Sequence, residues 1–254
     1  MHPEPIPPAE GRSLSLVVPV RNEAANILFL TEAVEAHGNR LGAVELIYVD
    51  DGSTDATAAE VAAVARRRPF VRLVQHDRPA GQSAAIHSGV LHARAPLVVT
   101  LDGDGQNPPG EIPKLLAELK DGGMPSGVGL IAGSRAERKD SLSKRLGSRA
   151  ANALRARLLG DRTRDTGCGL KLFRRDAFLA LPYFDHMHRF LPALFQRHGW
   201  SVLHVEVAHA PRHAGRSNYT NLSRAIVGVP DLAGVAWLIS RRKKAHATER
   251  EVAR

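Results

Sequence analysis

Cysteine is nearly absent: Cys168 stands alone among 254 residues, so no intrachain disulfide can form. That excludes a secreted module knit by disulfides and makes a reducing, cytoplasmic setting the simpler expectation. Aromatic residues amount to only 5%, too few for the stacking platforms on which single-stranded nucleic acids lie. No DNA-binding motif accompanies the basic residues either, so no nucleic-acid partner is expected. Long apolar runs are missing too. The segment Met1 to Pro8 holds four prolines and lacks the apolar core of a signal peptide. The stretch from Ala225 to Ser240 is interrupted by Pro230 and Asp231 and falls short of the roughly 20 apolar residues that a bilayer span requires. Neither an export signal nor a transmembrane helix is expected.

What is present suits one compact domain with polar extensions. Apolar residues make up 43% and charged residues 24%, enough at this length to bury a core without disulfides or metal. Thirty-five Lys and Arg against 26 Asp and Glu leave a net charge of +9. This excess favours anionic partners such as phosphorylated metabolites or an acidic membrane surface. Apolar, β-rich runs recur at Leu14 to Val20, Val44 to Asp50, Val71 to Gln75, Leu97 to Asp102 and Val128 to Ser134. Between the first four lie segments with helical spacing, Glu23 to His37, Asp55 to Arg68 and Gln82 to Ala93. Strands alternating with helices predict an α/β fold with a mainly parallel sheet flanked by helices. Ser53 and Asp55 are suited to cap the second helix. Beyond Ser134 a basic stretch runs to Arg164, followed by short apolar runs at Leu170 to Phe173 and Val202 to Val207. This second half is expected to complete the sheet.

Acidic residues stand where apolar strands end: Asp50 and Asp51 after one, Asp102 and Asp104 after another. Ligands of open α/β sheets bind beyond the carboxyl ends of the strands, so these carboxylates are expected to converge. Asp102-Gly103-Asp104 followed by Gln106 offers only oxygen donors, the set preferred by a hard cation such as Mg²⁺ or Mn²⁺. An EF-hand does not fit, because Asn107 and Pro113 occupy the positions of its glycine and its bidentate glutamate. A site so incomplete suits a metal that also carries substrate phosphates. Gly103 and Gly105 are expected to let a ligand approach the backbone. Neither the dinucleotide fingerprint nor a P-loop is present.

Four blocks in order, Val18-Pro19-Val20-Arg21-Asn22-Glu23, Asp50 to Asp55, Gly81-Gln82-Ser83-Ala84-Ala85 and Asp102 to Pro109, resemble the motifs of glycosyltransferase family 2. Asp165 to Lys171, Arg189 to Leu194 and Arg212 to Tyr219 are similar to its polyprenyl-phosphate sugar transferases, the dolichyl-phosphate mannose synthase group. The resemblance implies a GT-A nucleotide-sugar fold and inverting transfer of a sugar, from a donor such as GDP-mannose or a UDP-sugar, to a polyprenyl monophosphate. It places Pro19, Arg21, Glu23 and Asp50 around base and ribose and Gln82, Asp102 and Gly103 on the nucleotide side, with Arg212 and Ser217 also on the donor. Asp102, Asp104 and Gln106 would hold the metal. Arg135, Lys144, Arg145 and Ser148 would take the acceptor phosphate; the last three share one face if helical, being spaced by three and four. The implied organisation is an N-terminal arm over 1–13, a catalytic domain over 14–220 and a C-terminal helical segment with a basic tail over 221–254.

The chemistry agrees with the residues. Negative charge develops on the departing diphosphate, where a divalent ion and arginines act. An acceptor phosphate is already anionic, so no base is demanded, whereas a sugar hydroxyl would require one. Transfer to a sugar hydroxyl in polysaccharide synthesis is the alternative. A haloacid-dehalogenase-like phosphatase is more remote, since its Asp-x-Asp lies on the first strand. His186 and His188 are expected to be solvated or hydrogen-bonded, and Cys168 buried. Leu222, Ile226, Val229, Ala233, Ala236 and Trp237 recur mostly at helical spacing, kinked at Pro230, ahead of Arg241-Arg242-Lys243-Lys244. This suits peripheral attachment to an anionic membrane at its cytoplasmic face, directly or through a membrane-protein partner.

Overall fold

Backbone pairing draws the apolar runs into one seven-stranded sheet of order β3-β2-β1-β4-β6-β5-β7. The strands are β1 (Ser13–Val20), β2 (Ala43–Asp50), β3 (Val71–Gln75), β4 (Leu97–Thr100), β5 (Val128–Arg135), β6 (Lys171–Arg174) and β7 (Ser201–Val207). The computed structural model describes residues 13–135, 155, 157–160, 163, 165, 167–214, 221–242 and 245, with 43 and 221–227 described as backbone only. Of the seven expected runs, β3 has the expected limits and the others shift by one or two residues at an end. The largest change is at β4, which ends at Thr100 and leaves Asp102 in the loop beyond it.

The connections are α1 (Ala24–Ala36), α2 (Gly38–Leu41), α3 (Thr57–Arg67), α4 (Gln82–His92), α5 (Ile112–Leu116), α6 (Arg175–Leu179), α7 (Leu191–Arg197) and α8 (Asn221–Ser240). Strand alternation divides the apolar residues between two layers. Leu14, Leu16, Val18 and Val20 of β1 face α1, α3 and α5 through Ile27, Leu30, Val34, Val61 and Ile112. Val17, Ile47, Val49 and Val98 face the other way, toward Ile86 and Val90 of α4, Phe178 of α6 and Leu194 and Phe195 of α7. Each such side chain, when fully buried, contributes about 1.5–3 kcal/mol. The expected caps divide their roles. Asp55 Oδ1 accepts from Thr57 N at 2.9 Å at the start of α3, while Ser53 Oγ accepts from Asn22 N at 2.9 Å. The turns after β1 and β2 are thereby tied together.

β1 pairs in parallel with both β2 and β4. The chain therefore proceeds outward in one direction through β2 and β3, then returns to β1 and adds β4 on its other side. A crevice opens at the carboxyl ends of strands where such a reversal occurs. β6 runs antiparallel between β4 and β5, and β7 pairs in parallel with β5. The sheet is thus mostly parallel with one reversed strand, and its second half brings 167–171 beside the loop after β4.

Candidate active site

The crevice is a cavity of about 1060 Å³ lined by Pro19, Arg21, Glu23, Gln82, Asp102, Gly103, Asp104, Gln106, Arg135 and Arg212. Expected site residues from both halves of the chain therefore meet in one place. Asp50 does not line it. Its side chain is wholly buried, accepting from Ser53 N at 3.0 Å and Gln75 Nε2 at 3.2 Å. Asp51 lines the cavity instead. It accepts from Ala80 N and Gly81 N, both at 2.8 Å, and pairs with His76 Nδ1 at 2.8 Å. Asp50, the last residue of β2, is fixed away from the cavity, and Asp51, also buried, turns to the cavity wall where the strand ends. Lys144, Arg145, Ser148 and Ser217 lie outside the described residues.

Asp102 is held from three sides. Gln82 Nε2 donates to it at 3.0 Å and Asn107 Nδ2 at 2.8 Å, with the buried Lys171 ammonium nearby. Burial pushes its carboxyl upward, and the Asp104 charge adds to this against the pull of Lys171. Lys171, placed on β6, is pushed downward by its own burial and donates to the Cys168 carbonyl. A Cβ at Gly169 would overlap the Asp102 carboxylate, so this position has room only for glycine. The bare face of Gly103 meets Val20 Cγ1 and the Pro19 carbonyl, so its missing side chain lets β1 close on the loop and does not admit a ligand there. At Gly105, with φ +76°, the open side faces Phe29 and His213.

Asp104 belongs to a second group of contacts. Its Oδ1 accepts from Gln106 N at 3.0 Å, and its Oδ2 lies 2.8 Å from Arg212 Nη2. Arg212 Nη1 reaches Glu23 Oε1 at 3.3 Å. Burial raises the Glu23 carboxyl, while Asn26 and Arg212 lower it. The segment around Arg212 crosses the loop after β4 as a strap. Ala210 N donates to the Gln106 carbonyl at 3.0 Å and His213 N to that of Asp104 at 3.2 Å. The His213 ring stacks on Phe29 of α1 at 3.9 Å.

Arg135 lines the cavity but is tied to Asp165 through Nε at 2.6 Å and Nη2 at 2.8 Å. Its positive charge at this wall is therefore shared with a carboxylate. Cys168 is buried as expected. His186 and His188 are not on an α-helix; His186 precedes the short 3₁₀ turn Met187–Arg189 and His188 lies within it, its Nδ1 bonding Ser83 Oγ at 2.7 Å. Both line the cavity with Asp185 and Arg189. Asp51 is among the strand-end acids expected to converge on the crevice, whereas Lys171, Asp185 and Arg189 are cavity residues that sequence reasoning missed. Lys171 and Arg189 stand at the edges of blocks that carry the family resemblance, but nothing local in the sequence marks them as facing the crevice.

The family described as Glycosyl transferase family 2 matches residues 15–181. This chain belongs to it. A dodecaprenyl-phosphate galacturonate synthase of Rhizobium johnstonii is 36% identical over 240 residues, covering 91% of this chain and 69% of that protein. An undecaprenyl-phosphate 4-deoxy-4-formamido-L-arabinose transferase of Pseudomonas aeruginosa is 38% identical over 209 residues, covering 82% and 60%. The matched region thus spans about two thirds of these relatives or less. Glucosyl-3-phosphoglycerate synthase from Mycobacterium tuberculosis, solved with Mn²⁺, UDP and phosphoglyceric acid, shares the fold. Its TM-score is 0.67 at 22% identity, covering 92% of this chain and 81% of that one. The same enzyme solved with Mg²⁺ and UDP gives 0.66 at 23% identity, covering 91% and 80%. The fold is the GT-A arrangement of this family.

Proposed function

We propose that the chain transfers a sugar, with inversion, from a nucleoside-diphosphate sugar to a polyprenyl monophosphate. The observation that carries this reading is the Asp102–Asp104 pair, set at the strand-order reversal in a cavity also lined by Arg21, Arg135, Arg189 and Arg212. The names of the relatives, both acting on a polyprenyl phosphate, support the acceptor class.

The donor set suits a divalent cation on its own electrostatics. Asp104 raises Asp102, so positive charge between them is favoured, and the guanidinium already on Asp104 stands in for such a charge. Among the described residues no three His, Cys, Asp or Glu gather into a closed metal shell. Two carboxylates with the Gln106 amide oxygen fit a cation that leaves positions to substrate oxygens. Asp102, Asp104 and Gln106 would hold Mg²⁺ or Mn²⁺, which when bound supplies positive charge against the departing diphosphate.

The chain's own residues do the rest. Asp51 holds the 80–81 backbone at the nucleotide end. Gln82 and Asn107 orient Asp102. Arg135 and Arg189 bring positive charge to a wall that an acceptor phosphate would meet, with Lys144, Arg145 and Ser148 assigned to the same phosphate by the family resemblance. A phosphate acceptor carries its own negative oxygen, so none of these residues has to remove a proton.

Asp185, which lines the cavity with its side chain 62% exposed, favours the second reading, transfer to a sugar hydroxyl with a carboxylate as base. Turnover measured with UDP-, GDP- and dTDP-sugars on a water-soluble prenyl phosphate, against oligosaccharide acceptors, decides between the two. On the first reading only the prenyl phosphate is glycosylated. Excess EDTA abolishes that turnover, and Asp104→Ala lowers it by roughly a hundredfold or more. Full activity in EDTA would exclude the metal.

Peripheral attachment to an anionic membrane completes the reading. Among the described residues no helix is long and apolar enough to cross a membrane. α8 continues through Pro230. Val235 is buried and Leu232, Ala236 and Ile239 pack on the α4–α6–α7 layer, while Val229 and Trp237 remain 70% and 60% exposed. The helix therefore packs on the domain by one face and offers Val229, Ala233 and Trp237, four residues apart, on another, followed by the exposed Arg241 and Arg242. Trp beside cations suits a lipid interface.

A further inference from the structure

The cation that the carboxylate pair calls for is already supplied, in part, from within the chain. Arg212 Nη2 lies 2.8 Å from Asp104 Oδ2 and Nη1 lies 3.3 Å from Glu23 Oε1. One guanidinium thus spans two acidic groups from the turns after β4 and β1. The environment strengthens the contact: the Asp104 and Glu23 side chains are only 12% and 14% exposed, and Arg212 itself 27%. Attraction between charges grows as water is excluded. Three further contacts keep Arg212 there, the two strap amides on the Gln106 and Asp104 carbonyls and the ring stack of His213 on Phe29. A guanidinium so placed opposes any second positive charge arriving at Asp104.

We propose that Arg212 is a built-in counter-ion that competes with the divalent cation for Asp104, so that stable cation binding requires the nucleoside diphosphate as well. A bound diphosphate brings negative oxygens, the preferred partner of a guanidinium. Arg212 can exchange the Asp104 carboxylate for phosphate oxygens while Asp104 turns to the cation, and the site's charge stays balanced throughout. Glu23 retains the second nitrogen and limits how far the guanidinium must travel. The consequence is an ordered or coupled binding of donor and cation, with the metal alone held weakly. This rests on the reading of Asp102, Asp104 and Gln106 as cation ligands.

The test is cation affinity without turnover. Mn²⁺ alone is titrated into the full chain and its free fraction followed by electron paramagnetic resonance, then again with UDP and with GDP. Arg212→Gln should bind Mn²⁺ alone about tenfold more tightly than the unaltered chain. Arg212→Lys keeps a competing charge and should stay near the unaltered value. Glu23→Gln leaves Arg212 wholly to Asp104 and should weaken Mn²⁺ binding further. With nucleotide present, the gain in Mn²⁺ affinity should be large for the unaltered chain and small for Arg212→Gln. If Arg212→Gln, folded by circular dichroism, binds Mn²⁺ alone no more tightly while nucleotide still promotes binding to the unaltered chain, the counter-ion role is overturned and the metal site stands. Absence of Mn²⁺ binding by every form, with or without nucleotide, would overturn both.

Discussion

Glu45 shows how much one carboxylate can organise away from the cavity. It accepts from Ser15 Oγ of β1 at 2.6 Å, from Arg94 N at 2.5 Å and from Arg72 Nη1 of β3 at 2.5 Å, joining three parts of the sheet's lower edge. Burial alone would raise its carboxyl, but the Ser15, Arg94 and Arg72 contacts together outweigh it and hold the group below its usual value of 4.5. A depressed folded-state value contributes stability above the unfolded value, lost as pH falls through the folded one. Glu45→Gln should therefore lower stability at pH 7 by about 1–3 kcal/mol. The gap from the unaltered chain, measured by urea unfolding, should close as pH falls below about 4.5. At Gly169 the constraint is steric, since any Cβ meets the Asp102 carboxylate. Gly169→Ala should cost about 1–3 kcal/mol of stability by overpacking, with a loss of nucleotide affinity measured by calorimetry. An unchanged affinity would show that the loop after β4 yields without moving Asp102.

α8 illustrates an element whose two faces have separate work. Arg197 Nε donates to the Leu238 carbonyl at 2.8 Å, fixing the end of the helix to α7, and His186 Nδ1 meets Asp231 Oδ2 at 3.1 Å at the cavity rim. Changing Val235, which is buried, should unfold the protein more readily: Val235→Ala costs about 1–3 kcal/mol. Replacing Val229 and Trp237 together by Ser should leave the melting temperature within a degree or two, because exposed positions contribute little. The double variant should, however, sediment with anionic liposomes markedly less than the unaltered chain, with nucleotide binding unchanged. Equal sedimentation would remove this face from the attachment surface. The periodic apolar residues of this helix were legible in the sequence, but their division between domain and solvent was not, because periodicity identifies a helix without saying which neighbours it finds.

At the scale of the whole molecule, net charge and ligand linkage can be measured without knowing the acceptor. With +9 on the chain, attachment to anionic liposomes should fall as salt rises, since charges beyond roughly 8 Å are screened at physiological ionic strength. A nucleotide sugar that binds the folded chain alone stabilises it by about 2.7 kcal/mol at a hundred times its Kd. For a chain of this size that raises Tm by roughly 5–10 °C. A thermal-shift panel of GDP-, UDP- and dTDP-sugars with Mg²⁺ should single out one base, and the shift should disappear in EDTA. Equal small shifts for every nucleotide would argue against a specific donor site.

The alternation of apolar strands with amphipathic helices determined the α/β architecture from the sequence alone, because side-chain periods of 2 and 3.6 are local properties that survive in any context. The ordered blocks through Asp102-Gly103-Asp104 likewise marked the family, since acids and glycines after strands are readable as letters. Which carboxylate of the Asp50–Asp51 pair faces the cavity was decided by packing at the end of β2, where both residues are buried but only Asp51 reaches the cavity wall. The pairing of Arg212 with Asp104 and Glu23, and of Arg135 with Asp165, joins residues 30 to 189 positions apart. No local pattern encodes such pairs. They arise only when the strand-order reversal and the reversed strand β6 bring the two halves of the chain to one crevice, where burial makes each charge seek a partner.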